Sequence, residues 1–439
     1  MPTFLLLWFG QAISLFGSGL TSFALGVWVF ERTGSATYVA LIGLCAVLPR
    51  VLLSPLVGTF IDRWNRRTVM ILSDAGAGCS TLFIASMVAT GRIEVWHIYL
   101  AVAVSAAFGA VQWPAYTATT TLLVPPEHLG RANGMMQLGQ AVSDVLAPAL
   151  AGVLVQGIAL QGVILIDVTT FVVAVFTLLL VRLPRLSAPA VTQNAEGKER
   201  FWRQVTYGWT YINARPGLRG LLFFSMVVNF LWGMVGALIT PLILSFTTST
   251  NLGLIISIAG GGMLLGSLAM STWGGPRRRI QGVLRFEFLS GLCFILIGLR
   301  PAFWPIALGV FGAHCTIAVI FGSNQVIWQR KVAPEVQGRV FATQQMVAKA
   351  ATPLAYLLAG PLVEWVFEPL LAAGGALAPS IGAFVGIGPG RGIGLLFVVM
   401  GMVKMGVALA GSLNPRVRLV EDELPDITLH SIQPAEALA

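Results

Sequence analysis

Apolar runs of about twenty residues recur from Phe4 to Leu413, separated by short breaks that carry polar, glycine and proline residues. Each run is long enough to cross a bilayer as a helix, and inside lipid only helices and closed barrels satisfy their own backbone groups. A barrel is excluded. Its strands would alternate polar and apolar residues over about ten positions, whereas Ile164 to Val181 is apolar on every face apart from a few polar interruptions. Composition agrees, since 56% of the 439 residues are hydrophobic and 10% charged, too few charges to solvate a globular surface. The expected fold is an all-α membrane protein, with the lipid bilayer as its first partner.

Hydropathy places twelve transmembrane helices, at 4–30, 36–57, 68–90, 95–120, 132–156, 160–182, 218–244, 251–273, 280–299, 302–328, 340–366 and 390–413. Of the 27 lysines and arginines, 20 fall in the termini and loops of one side, four in the opposite loops, and Arg50, Lys349 and Lys404 within spans. The positive-inside rule assigns the richer side, and both termini, to the cytoplasm. This asymmetry accounts for the net charge of +9 without a nucleic-acid partner. The first run has no preceding basic residue and no small-residue cleavage site, so it reads as a retained span and not as a signal peptide. Cys45, Cys79, Cys293 and Cys315 lie inside apolar runs and read as small core residues. The sequence offers no metal-ligand spacing, no cofactor motif and no GxxxxGK[ST] nucleotide loop.

The longest polar break before the tail divides the chain into an N-terminal six-helix bundle (1–183), a cytoplasmic linker (184–217), a C-terminal six-helix bundle (218–413) and a cytoplasmic tail (414–439). Within the linker, residues 200–212 alternate aromatic and polar side chains at roughly helical spacing, suited to a membrane-surface helix or an ordinary linker helix. An internal repeat supports the division. Val124 to Arg131, VPPEHLGR, returns as Val332 to Arg339, VAPEVQGR, with five of eight positions identical. The offset of 208 places both copies at the entrance to the next span, as in parallel repeats that rock around a central site. Between spans two and three, Gly58-Thr-Phe-Ile-Asp62-Arg63-Trp-Asn-Arg66-Arg67 forms a tight turn. There Asp62 and the arginines can act as a charge-assisted latch, or serve only as positive-inside anchors.

GTFIDRWNRR resembles the G-x-L-a-D-r-x-G-r-r motif of the major facilitator superfamily, with Asn65 where glycine is usual. GQAISLFGSG in span one, ERTGSA after it, PAYTATTTLLVPPEHLGRANGMMQ and IDVTTF resemble the macrolide-efflux and siderophore-exporter branch of that family. The resemblance implies two pseudo-symmetric six-helix bundles, a chain acting as a monomer, and proton-driven export. In span five, Gly134, Ser143, Ala147, Pro148, Ala151 and Gly152 occupy the spacing of a signature of the superfamily's antiporters, with Pro148 and Gly152 permitting a helix bend; generic close packing of small residues explains them equally well. Two features depart from the pattern. Gly274 to Arg279 keeps the basic run of the latch without its aspartate, and no basic segment precedes the first span.

Ionisable side chains within spans are costly in lipid and therefore informative. They are Arg50, Asp74, Asp144, Asp167, Glu287, Lys349 and Lys404. Counting from the cytoplasmic ends, Asp144 lies roughly 18 Å deep, Arg50 roughly 11 Å and Asp74 about 9 Å. Asp144 is the leading candidate for a proton carrier, against the alternative of a permanent ion pair or hydrogen bond. Arg50 and Asp74 are expected to interact, directly or through Arg63 or Arg67, either as a static neutralising pair or as a relay of protonation to the latch at Asp62. The remaining four are assigned packing or pairing roles. By resemblance, spans one, four, seven and ten surround a cavity containing Gln11, Ser14, Gln112, Trp113, Asn229, Trp232, His314 and Asn324. Mostly apolar walls with scattered hydrogen-bonding groups suit an amphipathic organic molecule.

The expectation is a secondary exporter of the inner or plasma membrane, exchanging a small amphipathic compound for protons. Its rivals are a proton-coupled uptake symporter or lipid flippase on the same scaffold, and a receptor that does not transport. A membrane enzyme is disfavoured, because His97, His128, His314 and His430 are scattered and no paired acidic motif occurs.

Overall fold

The computed structural model describes residues 2–63, 66–125, 128–180, 207–332 and 336–423. Side chains of 2, 54–63, 66–67, 114, 118, 121–122, 129–131, 133–134, 337–339, 342, 416 and 423 fall outside this description. Eleven helices in this set are long and apolar enough to cross a membrane. One of them is two spans. Leu129–Leu180 is interrupted at Ala159, whose φ of 53° is a left-handed conformation that no helix continues through. The contacts of span one show that the chain folds back there. Its residues Trp8, Leu15 and Gly19 meet Met135, Ser143 and Ala147 in ascending order, while Gly10 and Gly17 meet Thr177 and Thr170 in descending order. The segment before Ala159 therefore runs parallel to span one and the segment after it antiparallel, giving twelve crossings.

Spans one to four are Pro2–Thr33, Ala36–Arg63, Arg66–Ala89 and Val95–Leu123. Spans seven to eleven are Pro216–Leu244, Ser249–Trp273, Arg279–Leu299, Phe303–Lys331 and Gln337–Pro361, and span twelve is Arg391–Leu413. Spans four and ten have the same length, 29 residues, and end alike. Val124 (φ −117°, ψ 128°) and Val332 (φ −115°, ψ 127°) each turn extended while their N–H bonds the carbonyl four residues back. Residues 126–127 and 333–335 lie outside the description, and both repeats enter the next helix at equivalent positions, Leu129 and Gln337.

Within each bundle, small residues let helices touch. In the C-terminal half, Gly291 and Gly298 of span nine lie against the backbone of Gly401 and Gly394 of span twelve, where a Cβ would come within 2.7 Å of a carbonyl oxygen. Large apolar side chains such as Leu52, Phe176, Phe223 and Leu268 point outward, as a lipid-facing surface requires. After span eleven the chain passes through a π-helical turn, Leu362–Phe367, and the one-turn helix Glu368–Leu371. The Glu368 carboxylate then accepts from the N–H groups of Gly390 and Gly392 at 2.7 and 2.9 Å, satisfying the free donors that begin span twelve. The start of the tail is docked. Glu421 accepts from the N–H groups of Arg279 and Ile280 at the start of span nine, and Val417 and Val420 are buried beside it. At the linker's end, Ile212 is buried in the C-terminal bundle, whereas Tyr207 and Trp209 are exposed.

The conformation at Ala159 predicts a side-chain dependence opposite to that of an ordinary helix interior. Ala159→Gly should leave thermal unfolding in detergent unchanged or raise it, whereas Ala159→Val should cost about 1–3 kcal/mol, because a β-branched residue resists positive φ. Equal destabilisation by both would count against this turn.

Candidate functional site

Spans one to six and Lys349 of span eleven enclose a cavity of about 720 Å³. Gln11 and Ser14 of span one and Gln112 and Trp113 of span four line it, as the sequence predicts. Its polar centre is a closed triangle. Gln11 Nε2 donates to Asp74 Oδ2 at 2.9 Å, and Gln112 Nε2 donates both to Asp74 Oδ1 and to Gln11 Oε1, the latter at 3.0 Å. Asp74 is 2% exposed, so these neutral donors take the place of water around its carboxyl.

No direct contact joins Arg50 to Asp74, and the side chains of Arg63 and Arg67, the other expected route between them, lie outside the described residues. Both line the cavity, but they form no ion pair, and both Asp74 oxygens are engaged by amides. The guanidinium instead extends over Gly109 of span four.

Asp167 and Lys349, assigned by sequence to packing or pairing, belong to the cavity wall. Ser18 and Thr81 donate to the two Asp167 oxygens at 3.4 and 3.3 Å. Helical periodicity in an all-apolar span gives little indication of which face a lone acid occupies, so this placement depended on how span six packs. Glu287 and Lys404 bond to each other, buried in the C-terminal bundle.

Asp144 faces a different niche of about 320 Å³, at the seam between the halves. Ser22, Ser143 and Pro148 share it with Thr240 and Ile256 of the opposite half. Gln140 Nε2 donates to Asp144 at 2.9 Å while also lining the main cavity, so this amide touches both spaces. Asn229 and Asn324 border a third cavity of about 190 Å³ in the C-terminal half, together with Gln344, Gln345 and Lys349. Lys349 therefore joins it to the main cavity.

Trp232 and His314 are not part of any of these walls. His314 Nδ1 bonds the Val310 carbonyl at 2.9 Å, and its ring meets Trp232 edge-on at 5.0 Å, while Phe294 meets Trp232 edge-on at 5.5 Å. Their helical face turns into the C-terminal bundle, where aromatic edge-to-face packing is favourable. The latch residues Gly58, Asp62, Arg63, Arg66 and Arg67 lie where side chains fall outside the described residues, as does Gly134.

One end of the chamber is sealed between the halves, at the side carrying the loop after span one. Ser35 Oγ and the Thr37 N–H donate to Glu364 at 2.5 and 3.2 Å, and Gly43 lies against Tyr356. On the other seam, Ser249 and Thr250 hydroxyls donate to the Gly152 carbonyl at 3.3 and 3.2 Å, and Ser257 donates to the Val145 carbonyl. Pro148 and Gly152, expected at a bend, therefore also form this contact surface: a Cβ at Gly253 would lie 2.2 Å from the Pro148 carbonyl oxygen. Residues facing the main cavity, such as Gln140, Arg50 and Lys349, lie further along the same helices, toward the opposite membrane face.

The main cavity lies within the N-terminal bundle and reaches the C-terminal half at Lys349, beside a seam that joins the two halves. Among solved structures, the nucleoside transporter NupG superposes with a TM-score of 0.71 at 14% identity, covering 93% of this chain and 99% of its own. A bacterial homologue of the human lysosomal transporter Spinster gives 0.68 at 15% identity, covering 95% and 96%. Among sequences, macrolide efflux protein A of Streptococcus pyogenes is 28% identical over 362 residues, or 81% of this chain and 88% of the relative. The multidrug efflux pump Tap of Mycobacterium tuberculosis is 26% identical over 383 residues, covering 83% and 87%. The family model of the Major Facilitator Superfamily matches residues 7–356. This multi-pass membrane chain is a transporter and not an enzyme, and it belongs to the major facilitator superfamily.

Proposed function

We propose that this transporter exports a small amphipathic organic compound across the plasma membrane, in exchange for protons, with both termini in the cytoplasm. The observation that carries the reading is the chamber itself, sealed between the halves at one end and walled by apolar and aromatic side chains around the Asp74 triangle. Such a wall suits a molecule with an apolar body and a few polar groups. The distribution of basic residues supports assigning the sealed end to the extracellular side. The names of the relatives, a macrolide efflux protein and a multidrug efflux pump, support the outward direction.

Proton exchange requires a carboxyl whose surroundings change as the chamber alternates. Asp74 lies in the chamber and Asp144 on the moving seam, so each meets that condition through a different route. In everted vesicles with an inward proton gradient, cargo should collapse part of the gradient. Asp74→Asn and Asp144→Asn should each lower this exchange at least about tenfold, a loss typical of removing a proton-transfer group. Full activity in both variants would remove the proton-antiport mechanism.

A further inference from the structure

Four ionisable side chains line the main cavity: Asp74 and Asp167, and Arg50 and Lys349. The carboxylates are engaged on both oxygens, Asp74 by Gln11 and Gln112, and Asp167 by Ser18 and Thr81. The cations differ. Among the described residues neither Arg50 nor Lys349 has a carboxylate within ion-pair distance, and Arg50 reaches over Gly109, where no side chain fills the space.

Their positions are related. Spans two and eleven run antiparallel across the seam, with Thr37 against Gly360 and Gly43 against Tyr356. Two further turns along each helix, about 10 Å, lead from Gly43 to Arg50 and from Tyr356 to Lys349. One cation thus comes from each half, at matching depth, immediately inside the seal. Both side chains are exposed within the cavity, and two like charges lining one space repel unless an anion lies between them.

We propose that Arg50 and Lys349 form a binding site for an anionic oxyacid group, a carboxylate, sulfonate or phosphate, that bridges the two halves. The planar Arg50 fork can hold two oxygens while the Lys349 ammonium acts as a point charge. Asn229, Asn324 and Gln344, which border the smaller cavity at Lys349, supply further neutral donors on the C-terminal side. Insofar as the acid is carried on the exported molecule, the inference rests on the export reading. The apolar body then lies along Trp113, Tyr116 and Phe171. A free inorganic anion would meet the same two cations.

The test uses the full-length chain in nanodiscs and two dyes with the same ring pair: 8-anilinonaphthalene-1-sulfonate and the neutral N-phenyl-1-naphthylamine. Arg50→Gln and Lys349→Gln should each weaken binding of the sulfonate about tenfold, and together roughly a hundredfold, with the neutral dye within about twofold of the unaltered chain. Lys349→Arg should retain sulfonate binding. Parallel loss of both dyes, or unchanged sulfonate affinity in the double variant, overturns the proposal. Sodium sulfate separates the two sources. Displacement of the bound sulfonate dye in the unaltered chain, lost in the double variant, identifies a free anion; no displacement identifies an acid borne by an organic compound. Because binding is read without transport, a negative vesicle experiment alongside intact sulfonate selectivity removes export and leaves the site.

Discussion

Lys404→Met, made alone, is expected to destabilise the protein by about 3–5 kcal/mol, the cost of leaving one member of a buried ion pair without its partner. Lys404 and Glu287 side chains are 0% and 1% exposed and bond directly, joining span twelve to span nine. The ammonium lies 4.9 Å from the Phe294 ring and 5.9 Å from Trp232, so aromatic faces supply the rest of its surroundings. Glu287 has less support. Its second oxygen is buried without a hydrogen-bond partner among the described residues, and removal of Lys404 would leave the carboxylate with no compensating charge. The double variant Lys404→Met, Glu287→Leu removes both charges at similar volume and should recover to within about 1 kcal/mol of the original. Thermal unfolding in detergent reads both. If the double variant remains as unstable as the single one, the pair is not a self-contained structural unit.

The second large effect concerns transport more than stability. Gly253→Val should reduce efflux roughly a hundredfold, because overpacking of about 3 kcal/mol in one conformation shifts a two-state equilibrium by that factor. The clash is unusually hard to relieve. A Cβ at Gly253 meets the carbonyl oxygen of Pro148 at 2.2 Å and its carbon at 3.0 Å, both backbone atoms of a packed helix. A Cβ at Gly152 would likewise lie 2.5 Å from the Ser249 carbonyl oxygen. The seal should fail to close while each bundle keeps its own core, so a reporter cysteine at Ser35 should label faster with an impermeant maleimide, in a background lacking the four native cysteines. Unchanged labelling with normal efflux would show that this seam does not close during the working cycle.

Much of the fold was legible because the bilayer imposes a simple rule. A segment that must satisfy its own hydrogen bonds over about 30 Å becomes a helix of about twenty apolar residues, whatever its neighbours. The 208-residue offset between Val124 and Val332 was equally readable, and the structure ends both helices in the same conformation. Less legible was the facing of each helix. Four of the eight expected cavity residues, Gln11, Ser14, Gln112 and Trp113, line the main chamber, and Asn229 and Asn324 border the smaller one. Trp232 and His314 turned into the C-terminal core, while Asp167 and Lys349, read as packing residues, face the chamber. A span that is apolar on nearly every side has no strong amphipathic stripe to announce its inward face.

Local chemistry along the chain was sufficient to determine a helical membrane protein, the positions of most spans and their likeness to one transporter family. Tertiary packing decided which charges met. Asp74 acquired amide partners from spans one and four instead of Arg50, Lys404 found Glu287, and Arg50 and Lys349 came to line one cavity from different halves. The physical reason is that insertion free energy depends on one segment at a time, whereas the partner of a buried charge depends on the rotation and register of several helices together.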